Sequence, residues 1–372
     1  MTKAKQMRSL LTSEGQLKVF ITDIDMPEPA EAEVVVEVEA TPINPSDLGG
    51  LIGPANLDQA TLDADGALVA PVDPGLLKRF AVRLDKPLPM GNEGAGRVIA
   101  AGSAPEAQAL LGKRVAAMGG AMYATHRAVP AFLCLELPEE ASARDGASCF
   151  VNPLTALSMV DTMRLDNHKG LVHTAAASNL GQMLNRICLD DEVPLVNIVR
   201  KTEQAEMLKA QGARIVVNSS DGDFMDQLTD AIADTQASLA FDAIGGGRGA
   251  DAILNAMERA FSRDATQWSP YGSTVHKQVY IYGGLDVSPT SLSRGYGMAW
   301  GVAGYLLPHF IARVGMDRAR ELQARVAAEL TTTFKSHYSH EISLSDMLKP
   351  EIARAYQAKA TGEKYLVNPT LG

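Results

Sequence analysis

Residues 171–181 of the 372-residue chain, LVHTAAASNLG, carry the pattern that decides the fold. The stretch begins with a short apolar run typical of a buried strand, and Gly181 lies in the helical pattern that follows as far as Leu189. A helix that starts directly after a strand presents its N-terminal amides at the end of that strand, where an anion can bind. The stretch therefore predicts the βα turn of a nucleotide-binding unit.

The glycines of this turn depart from the usual Gly-x-Gly-x-x-Gly pattern, because only the third, helix-packing glycine is present, as Gly181. Small residues at Ala175 and Ser178 still permit a phosphate to approach closely, and the Ser178 hydroxyl can donate to it. A packed βα turn without a ligand is the alternative interpretation. The cofactor contacts expected in this turn are Ala176, Ser178, Asn179 and Leu180.

The end of the next strand indicates which cofactor binds. NAD-specific proteins place an acidic residue about twenty residues after the turn, against the ribose hydroxyls. Here Leu195–Val199 is followed by Arg200 and Lys201, two cations that would attract a 2′-phosphate. We therefore predict NADPH rather than NADH, with a solvated strand end as the alternative.

Strand-like and helix-like segments alternate from about Asp145 onward, which predicts a doubly wound parallel sheet. The expected strands are Leu171–Ala175, Leu195–Val199, Ile215–Val217, Leu239–Asp242 and Val279–Tyr282; the expected helices are Gly181–Leu189, Thr202–Gln211 and Asp223–Ala233. Before residue 140, short β-branched runs predict a β-rich domain. Within it, residues 49–88 have no clear period except a short helix at 76–84, and are expected to form a lid or binding insert. After Thr331 we expect strands and a helix at Glu351–Ala358, ending in a strand at Tyr365–Val367.

Composition and charge narrow the class of protein. Lysine and arginine total 34 and aspartate and glutamate 44, so the net charge is −10, which disfavours a nucleic-acid partner. No apolar run reaches the ~20 residues that would span a membrane. The three cysteines form no paired framework and fit a reducing compartment. Without a secretory pattern near residue 1, we expect a cytoplasmic protein with no membrane partner.

Four further segments occur in order along the chain: Asn44–Asp47, Gly91–Val98, Asn152–Ala156 and Phe241–Gly246. With the turn at 171–181, they resemble the medium-chain dehydrogenase/reductase superfamily, in particular its zinc-free quinone oxidoreductase and 2-enoyl thioester reductase branches. The resemblance covers most of the chain, and the ordered set is more specific than any single motif.

The resemblance implies an α/β fold in which a doubly wound Rossmann sheet is inserted into a GroES-like, β-rich catalytic domain. Residues 1–149 and 316–372 would form the catalytic domain and residues 150–315 the dinucleotide-binding domain. The nicotinamide would lie in the cleft between the domains. A homodimer is also implied.

Zinc-containing relatives bind the catalytic metal through a cysteine at the position of Asn44 and a histidine at the position of Asn92. Their third ligand lies near the segment that matches 151–153. None of these positions carries a thiolate or an imidazole here, and His337 and His340 would point to opposite faces of a strand. We therefore expect no functional metal.

By resemblance, Asn44 and Thr155 would lie near the nicotinamide, where they position the ring or polarise a carbonyl. A turn residue before Pro45 is the alternative for Asn44, and an N-terminal helix packing residue is the alternative for Thr155. Tyr123 would line the pocket; these three are the candidate catalytic residues. Residues 48–83 contain no tyrosine, whereas enoyl thioester reductases of this family carry a catalytic tyrosine soon after the Asn-Pro segment.

The resemblance implies five further cofactor contacts: Asn152, Gly245, Gly283, Gly284 and Asn368. For Gly283, Gly284 and Asn368, the alternative interpretation is a turn that needs small residues.

Hydride transfer to a quinone or an activated double bond needs less polarisation than reduction of a simple ketone. The leading hypothesis is therefore a zinc-independent, NADPH-dependent oxidoreductase that acts on a small quinone or enone-type substrate. The second hypothesis is a 2-enoyl thioester reductase. A third, from another class, is a catalytically idle NADPH-binding protein.

Overall fold

The computed structural model describes residues 3–263 and 265–371. The chain divides into two compact units, Met1–Val151 with Gln323–Gly372, hereafter the β-rich unit, and Asn152–Leu322, hereafter the parallel-sheet unit. The divisions fall after Val151 and Leu322, whereas the sequence places them after residues 149 and 315. No helix among the described residues combines the length and the apolar character needed to cross a membrane.

The β-rich unit contains two sheets of mostly antiparallel strands. One has the order β4-β5-β2-β1-β6, and the other has the order β10-β8-β7-β3-β20-β19 with β9 also paired to β3. The strands are β1 (Lys3–Leu11), β2 (Gln16–Asp25), β3 (Glu33–Pro42), β4 (Thr61–Leu62), β5 (Leu68–Pro71), β6 (Leu88–Pro89), β7 (Glu93–Ala101), β8 (Arg114–Met118), β9 (His126–Pro130), β10 (Cys134–Glu136), β19 (His340–Ile342) and β20 (Tyr365–Val367).

Short helices cover the ends of these sheets. Because β20 pairs with β3 at Leu366↔Pro42 and Val367↔Thr41, the two ends of the chain share one sheet. The expected terminal helix and strand are confirmed. The helices are α1 (Pro45–Leu51), α2 (Pro74–Leu77), α3 (Pro105–Gln108), α4 (Ala143–Gly146) and α11 (Pro350–Gln357).

The stretch from residue 49 to 88 is folded into the β-rich unit, and the short helix expected at 76–84 is present as helical turns at Pro74–Leu77 and Lys78–Arg83. Its role as a lid or binding insert stays a prediction. Its strand β5 pairs antiparallel with β2, from Gln16↔Pro71 to Val19↔Leu68. Leu57 and Leu68 from this stretch are fully buried in the core of the unit. The elements that lie wholly within this stretch have two to six residues, which is too short for a periodic pattern to show in the sequence.

The parallel-sheet unit is built on six strands in the order β13-β12-β11-β14-β16-β18. This is the order of a doubly wound nucleotide-binding sheet, with the first strand in the centre. Helices pack against the sheet, and β15 and β17 pair with each other in a separate two-stranded sheet. The strands are β11 (Leu171–His173), β12 (Leu195–Val199), β13 (Ile215–Asn218), β14 (Leu239–Asp242), β15 (Gly245–Gly247), β16 (Lys277–Ile281), β17 (Asp286–Thr290) and β18 (Trp300–Gly304); the helices are α5 (Val151–Leu165), α6 (Asn179–Asp190), α7 (Thr202–Ala210), α8 (Phe224–Thr235), α9 (Gly249–Ser262) and α10 (Leu307–Ala328).

Two features of this unit differ from the sequence prediction. The last parallel strand is β18, and not the strand at 279–282, because β18 pairs with β16 from Lys277↔Trp300 to Ile281↔Gly304. Two glycines in β18 weaken its strand signal. Helix α10 is interrupted at Gly315, whose φ of 83° lies outside the helical region.

Candidate functional site

The predicted βα turn is present at the carboxyl end of β11. Ser178 is the N-cap of α6, and its hydroxyl accepts a hydrogen bond from the Gly181 amide at 3.1 Å. The Ser178 hydroxyl is the acceptor in this bond, so its own proton is not used there. The cap fixes the first turn of a helix whose N-terminal partial positive charge favours an anion.

Packing explains the residues around this cap. A Cβ on Gly181 would lie 2.3 Å from the Ala176 carbonyl oxygen, so the predicted helix-packing glycine is confirmed. Ala175 has a φ of 50°, a left-handed conformation that glycine adopts more readily. Ala176 and Leu180 are buried, and the Ala176 amide donates to the Ile198 carbonyl at 3.1 Å. Ala176 therefore shapes the turn, and its contact with a cofactor stays a prediction.

Arg200 and Lys201 lie at the carboxyl end of β12, where both are exposed. Among the described residues, neither side chain takes part in an ion pair. The Gln204 side-chain oxygen accepts from the Arg200 amide at 3.0 Å and from the Lys201 amide at 3.2 Å. The Ser220 hydroxyl donates to the Arg200 carbonyl at 2.8 Å. Two cations therefore extend from a fixed backbone on the same sheet edge as the turn.

Gly245 and Gly283 meet at this edge of the sheet. A Cβ on Gly245, where φ is 83°, would lie 2.9 Å from the Gly283 carbonyl oxygen. One on Gly283 would lie 2.5 Å from the Ala243 carbonyl oxygen, so glycine is required at both positions. A Cβ on Gly284 would meet no described atom within 4 Å, so protein packing does not require a glycine there.

A buried carboxylate, Asp242, organises the ends of β11 and β14. It accepts hydrogen bonds from the Thr174 hydroxyl at 2.7 Å, the Ile244 amide at 2.9 Å and the Gly245 amide at 3.1 Å. Sequence reasoning quoted this aspartate within a motif without giving it a role. Its three bonds hold the glycine turn in place.

Next to it lies a buried histidine that the sequence analysis missed. His173 in β11 is within 2.8 Å of the Tyr282 hydroxyl through Nε2, and the two rings are stacked. Burial lowers the pKa of His173 to about 3, so the imidazole is neutral at physiological pH. No signal in the sequence separates this histidine from an ordinary strand residue.

In the β-rich unit, Asn44 is the N-cap of α1 and is 1% exposed. Its side-chain Nδ2 donates to Glu93 Oε1 at 2.7 Å, and its backbone amide donates to Asp47 Oδ2 at 2.8 Å. Asp47 Oδ1 accepts from the Asn92 amide at 2.9 Å. Asn44 and Asn92 occupy positions of zinc ligands in the family that the sequence resembles, and here the amides of both bond to Asp47.

Glu93 is the centre of this buried network. Besides Asn44, its carboxylate accepts from the amides of Phe150 at 2.8 Å and Val151 at 3.0 Å. Burial raises the pKa of Glu93, while these hydrogen bonds and the positive charge of Lys364 oppose the rise. Burial also raises the pKa of Asp47 to about 7, because the loss of solvation outweighs the amide hydrogen bonds that it accepts.

Lys364 is the cation of the network. Its Nζ donates to the Ser148 hydroxyl at 2.8 Å and lies 5.2 Å from the centre of the Tyr338 ring. Burial lowers the pKa of Lys364 to about 8, against the opposing effect of Glu93 and Asp47. The sequence analysis missed Lys364 because this residue lies in no motif. Glu93 and Asp47 appear there only as members of motifs, with no role assigned.

Two predicted site residues make local contacts. Tyr123 is fully buried in the core, and its hydroxyl donates to the Pro42 carbonyl at 3.2 Å, which favours a packing role; its role toward a ligand stays a prediction. Asn368 donates its side-chain Nδ2 to Glu341 at 2.9 Å and accepts from the Thr370 amide at 3.0 Å. Its amide therefore links the end of β20 to Glu341 and to its own turn, and its contact with a cofactor stays a prediction.

Asn152 and Thr155 both lie in the first turns of α5. Asn152 is buried and Thr155 is partly buried. The Thr155 carbonyl accepts a hydrogen bond from the Ser158 hydroxyl at 2.8 Å. Their roles toward a ligand remain predictions.

Within residues 3–263 and 265–371, no three histidine, cysteine, aspartate or glutamate side chains are grouped so that they could hold a metal ion. Among the described residues, Cys134, Cys149 and Cys188 form no disulfide. Burial raises the pKa of Cys134 to about 12 and that of Cys149 further, so both are protonated at neutral pH.

The sequence matches no protein-family model. It is 28% identical over 141 residues to prostaglandin reductase-3 of Mus musculus, covering 38% of this chain and 37% of that protein. It is 25% identical over 202 residues to the mitochondrial enoyl-[acyl-carrier-protein] reductase of Caenorhabditis elegans, covering 54% of this chain and 51% of that protein. The chain thus spans well under two thirds of the length of either relative.

Solved structures resemble the whole chain. A proposed NADPH:quinone reductase from Mesorhizobium loti has a TM-score of 0.74 at 24% identity, covering 99% of this chain and 100% of that one. A mutant form of enoyl thioester reductase from Candida tropicalis has a TM-score of 0.68 at 18% identity, covering 99% and 100%. The chain therefore has the α/β fold of these reductases. The α/β fold expected from the sequence is therefore confirmed.

Proposed function

We propose that this chain is a zinc-independent oxidoreductase that uses NADPH to reduce a quinone or an activated carbon–carbon double bond of an enone-type substrate. One observation carries the proposal: the Ser178-capped turn and the exposed pair Arg200–Lys201 lie at the same edge of one parallel sheet. The fold it shares with proposed NADPH:quinone reductases supports the reaction class.

The residues present fit NADPH. The first amides of α6 and the Ser178 hydroxyl suit the pyrophosphate, and Arg200 and Lys201 suit the 2′-phosphate. Gly245 and Gly283, which protein packing requires to be glycine, place no side chain at this edge of the sheet. When bound, NADPH supplies a hydride to the substrate.

In the β-rich unit, the protein holds the Asn44 side chain in one orientation. Since an ionised carboxylate only accepts hydrogen bonds, Glu93 fixes the Asn44 side chain with Nδ2 toward it. We propose that Asn44 in this orientation positions the nicotinamide or polarises the substrate carbonyl, and that Thr155 assists it. The proton donor is left to solvent or to a group on the substrate.

The experiment is NADPH oxidation over a panel of quinones, enones and enoyl thioesters. Turnover of quinones or enones supports the proposal, and turnover confined to enoyl thioesters would support the second candidate, which the similarity to the Caenorhabditis elegans reductase favours. Tight binding of NADPH without turnover of any substrate would instead support the third hypothesis, a catalytically idle cofactor-binding protein.

A charge reversal tests the cofactor assignment separately. Arg200→Glu is expected to raise KM for NADPH far more than KM for NADH, because only NADPH carries the 2′-phosphate. Equal effects on the two cofactors would refute the role of Arg200. A homodimer and a cytoplasmic location also remain proposals; light scattering on the purified chain tests the first.

A further inference from the structure

The backbone that carries Arg200 and Lys201 is held from two neighbouring elements. Gln204, in the first turn of α7, accepts both amides through one side-chain oxygen, at 3.0 and 3.2 Å. Ser220, after β13, donates its hydroxyl to the Arg200 carbonyl at 2.8 Å. The peptide groups on both sides of Arg200 are therefore fixed before any ligand arrives.

This arrangement determines how a phosphate can be recognised. Because the amides of Arg200 and Lys201 already bond to Gln204, a phosphate at the strand end must be bound by the two side chains. A fixed backbone lowers the entropy lost when the guanidinium and the ammonium order around an anion.

The choice of glutamine at this position also matters for charge. A glutamate could accept the same two hydrogen bonds, and near a helix N-terminus it would be the more favourable residue for the helix. Its negative charge would, however, lie next to the two cations and oppose a bound phosphate. The neutral amide leaves the local positive charge intact in a chain whose net charge is −10.

We propose that Gln204, supported by Ser220, determines the preference of this site for a 2′-phosphorylated cofactor. Gln204 is a positioning residue: it holds Arg200 and Lys201 in place and adds no negative charge of its own at the two amides that it bonds. The inference rests on the proposed binding of NADPH and adds the residue that sets its selectivity.

The test is calorimetric titration of the full chain with adenosine 2′,5′-bisphosphate and adenosine 5′-monophosphate, which differ only in the 2′-phosphate. The unaltered chain should bind the bisphosphate more tightly. Gln204→Glu should lower that preference about tenfold, the effect of one added charge several ångströms from the phosphate at intermediate dielectric. Gln204→Ala and Ser220→Ala should lower it about threefold, since they loosen the backbone without adding charge.

A matched control is Gln236→Glu, which adds the same charge at the end of α8, just before β14 begins and so at the opposite edge of the sheet. It should leave the preference unchanged, and thermal melting should show that every variant folds. If Gln204→Glu keeps the preference of the unaltered chain, the role of Gln204 is refuted and the NADPH assignment stands. If the unaltered chain has no preference, the NADPH assignment fails and this inference fails with it.

Discussion

Truncation of Glu93 should destabilise the β-rich unit through three buried donors. Glu93 is 1% exposed, and Glu93→Ala removes the acceptor for Asn44 Nδ2 and for the amides of Phe150 and Val151. Each orphaned donor costs about 1–3 kcal/mol, partly offset because the buried charge is removed and water can enter. We expect the free energy of unfolding to fall by about 3 kcal/mol.

The isosteric variant separates hydrogen bonding from charge. In Glu93→Gln the new side-chain oxygen can still accept the two backbone amides, and its nitrogen can donate to Asn44 once that amide rotates. We therefore expect a loss of at most about 1 kcal/mol. The reductase activity should fall by more than this small loss of stability explains, because the Asn44 side chain then presents the opposite end of its amide to the proposed ligand.

Urea unfolding followed by circular dichroism measures both variants. Glu136→Gln is the matched control, since Glu136 is half exposed and paired with Lys113 on the surface, where a loss under about 1 kcal/mol is expected. The reasoning is refuted if Glu93→Ala costs less than about 1 kcal/mol, or if Glu93→Gln costs as much as Glu93→Ala.

Three further predictions concern single residues. Ala175→Gly should raise the free energy of unfolding by about 0.5 kcal/mol by relieving a left-handed alanine, and a lower value in urea titration would contradict this. Gly181→Ala should lower it by about 1–3 kcal/mol, as its Cβ would lie 2.3 Å from the Ala176 carbonyl; unchanged stability would show that α6 shifts freely. The raised pKa of Asp47, about 7, means that the folded state keeps a proton that the unfolded state loses above pH 4. Stability relative to Asp47→Asn should therefore fall between about pH 4 and 7, by at most about 1.4 kcal/mol per pH unit; a difference that stays flat would contradict the shift.

The elements with clear local patterns were predictable from the sequence. The strands at 171–173, 195–199 and 239–242 are continuous apolar runs with helices at regular spacing, and the structure has them in the predicted order. The strand at 300–304 was missed because two glycines among its five residues give it little strand signal. The strand β5 within residues 49–88 was missed because it is stabilised by pairing with β2, a contact distant in sequence.

The candidate site divides in the same way. Four candidate residues lie close in sequence to the strands that position them, so the sequence alone is enough to predict them: Ser178, Gly181, Arg200 and Lys201. A tyrosine that lines a cleft and one that fills a core look alike in sequence, so the sequence does not show that Tyr123 is fully buried. Burial, which depends on every neighbouring element, separates the two.

The sequence alone predicts the order of the strands and helices between residues 171 and 242, the capped turn and the two cations after the second strand. These depend on local propensity and on residues within about thirty positions of each other. Folding adds that Glu93 holds Asn44, that the charge of Lys364 acts on the buried Glu93 and that Gln204 and Ser220 fix Arg200 from two elements. Buried charges and hydrogen bonds gain their strength from the exclusion of water, and folding alone brings together the distant residues that exclude it.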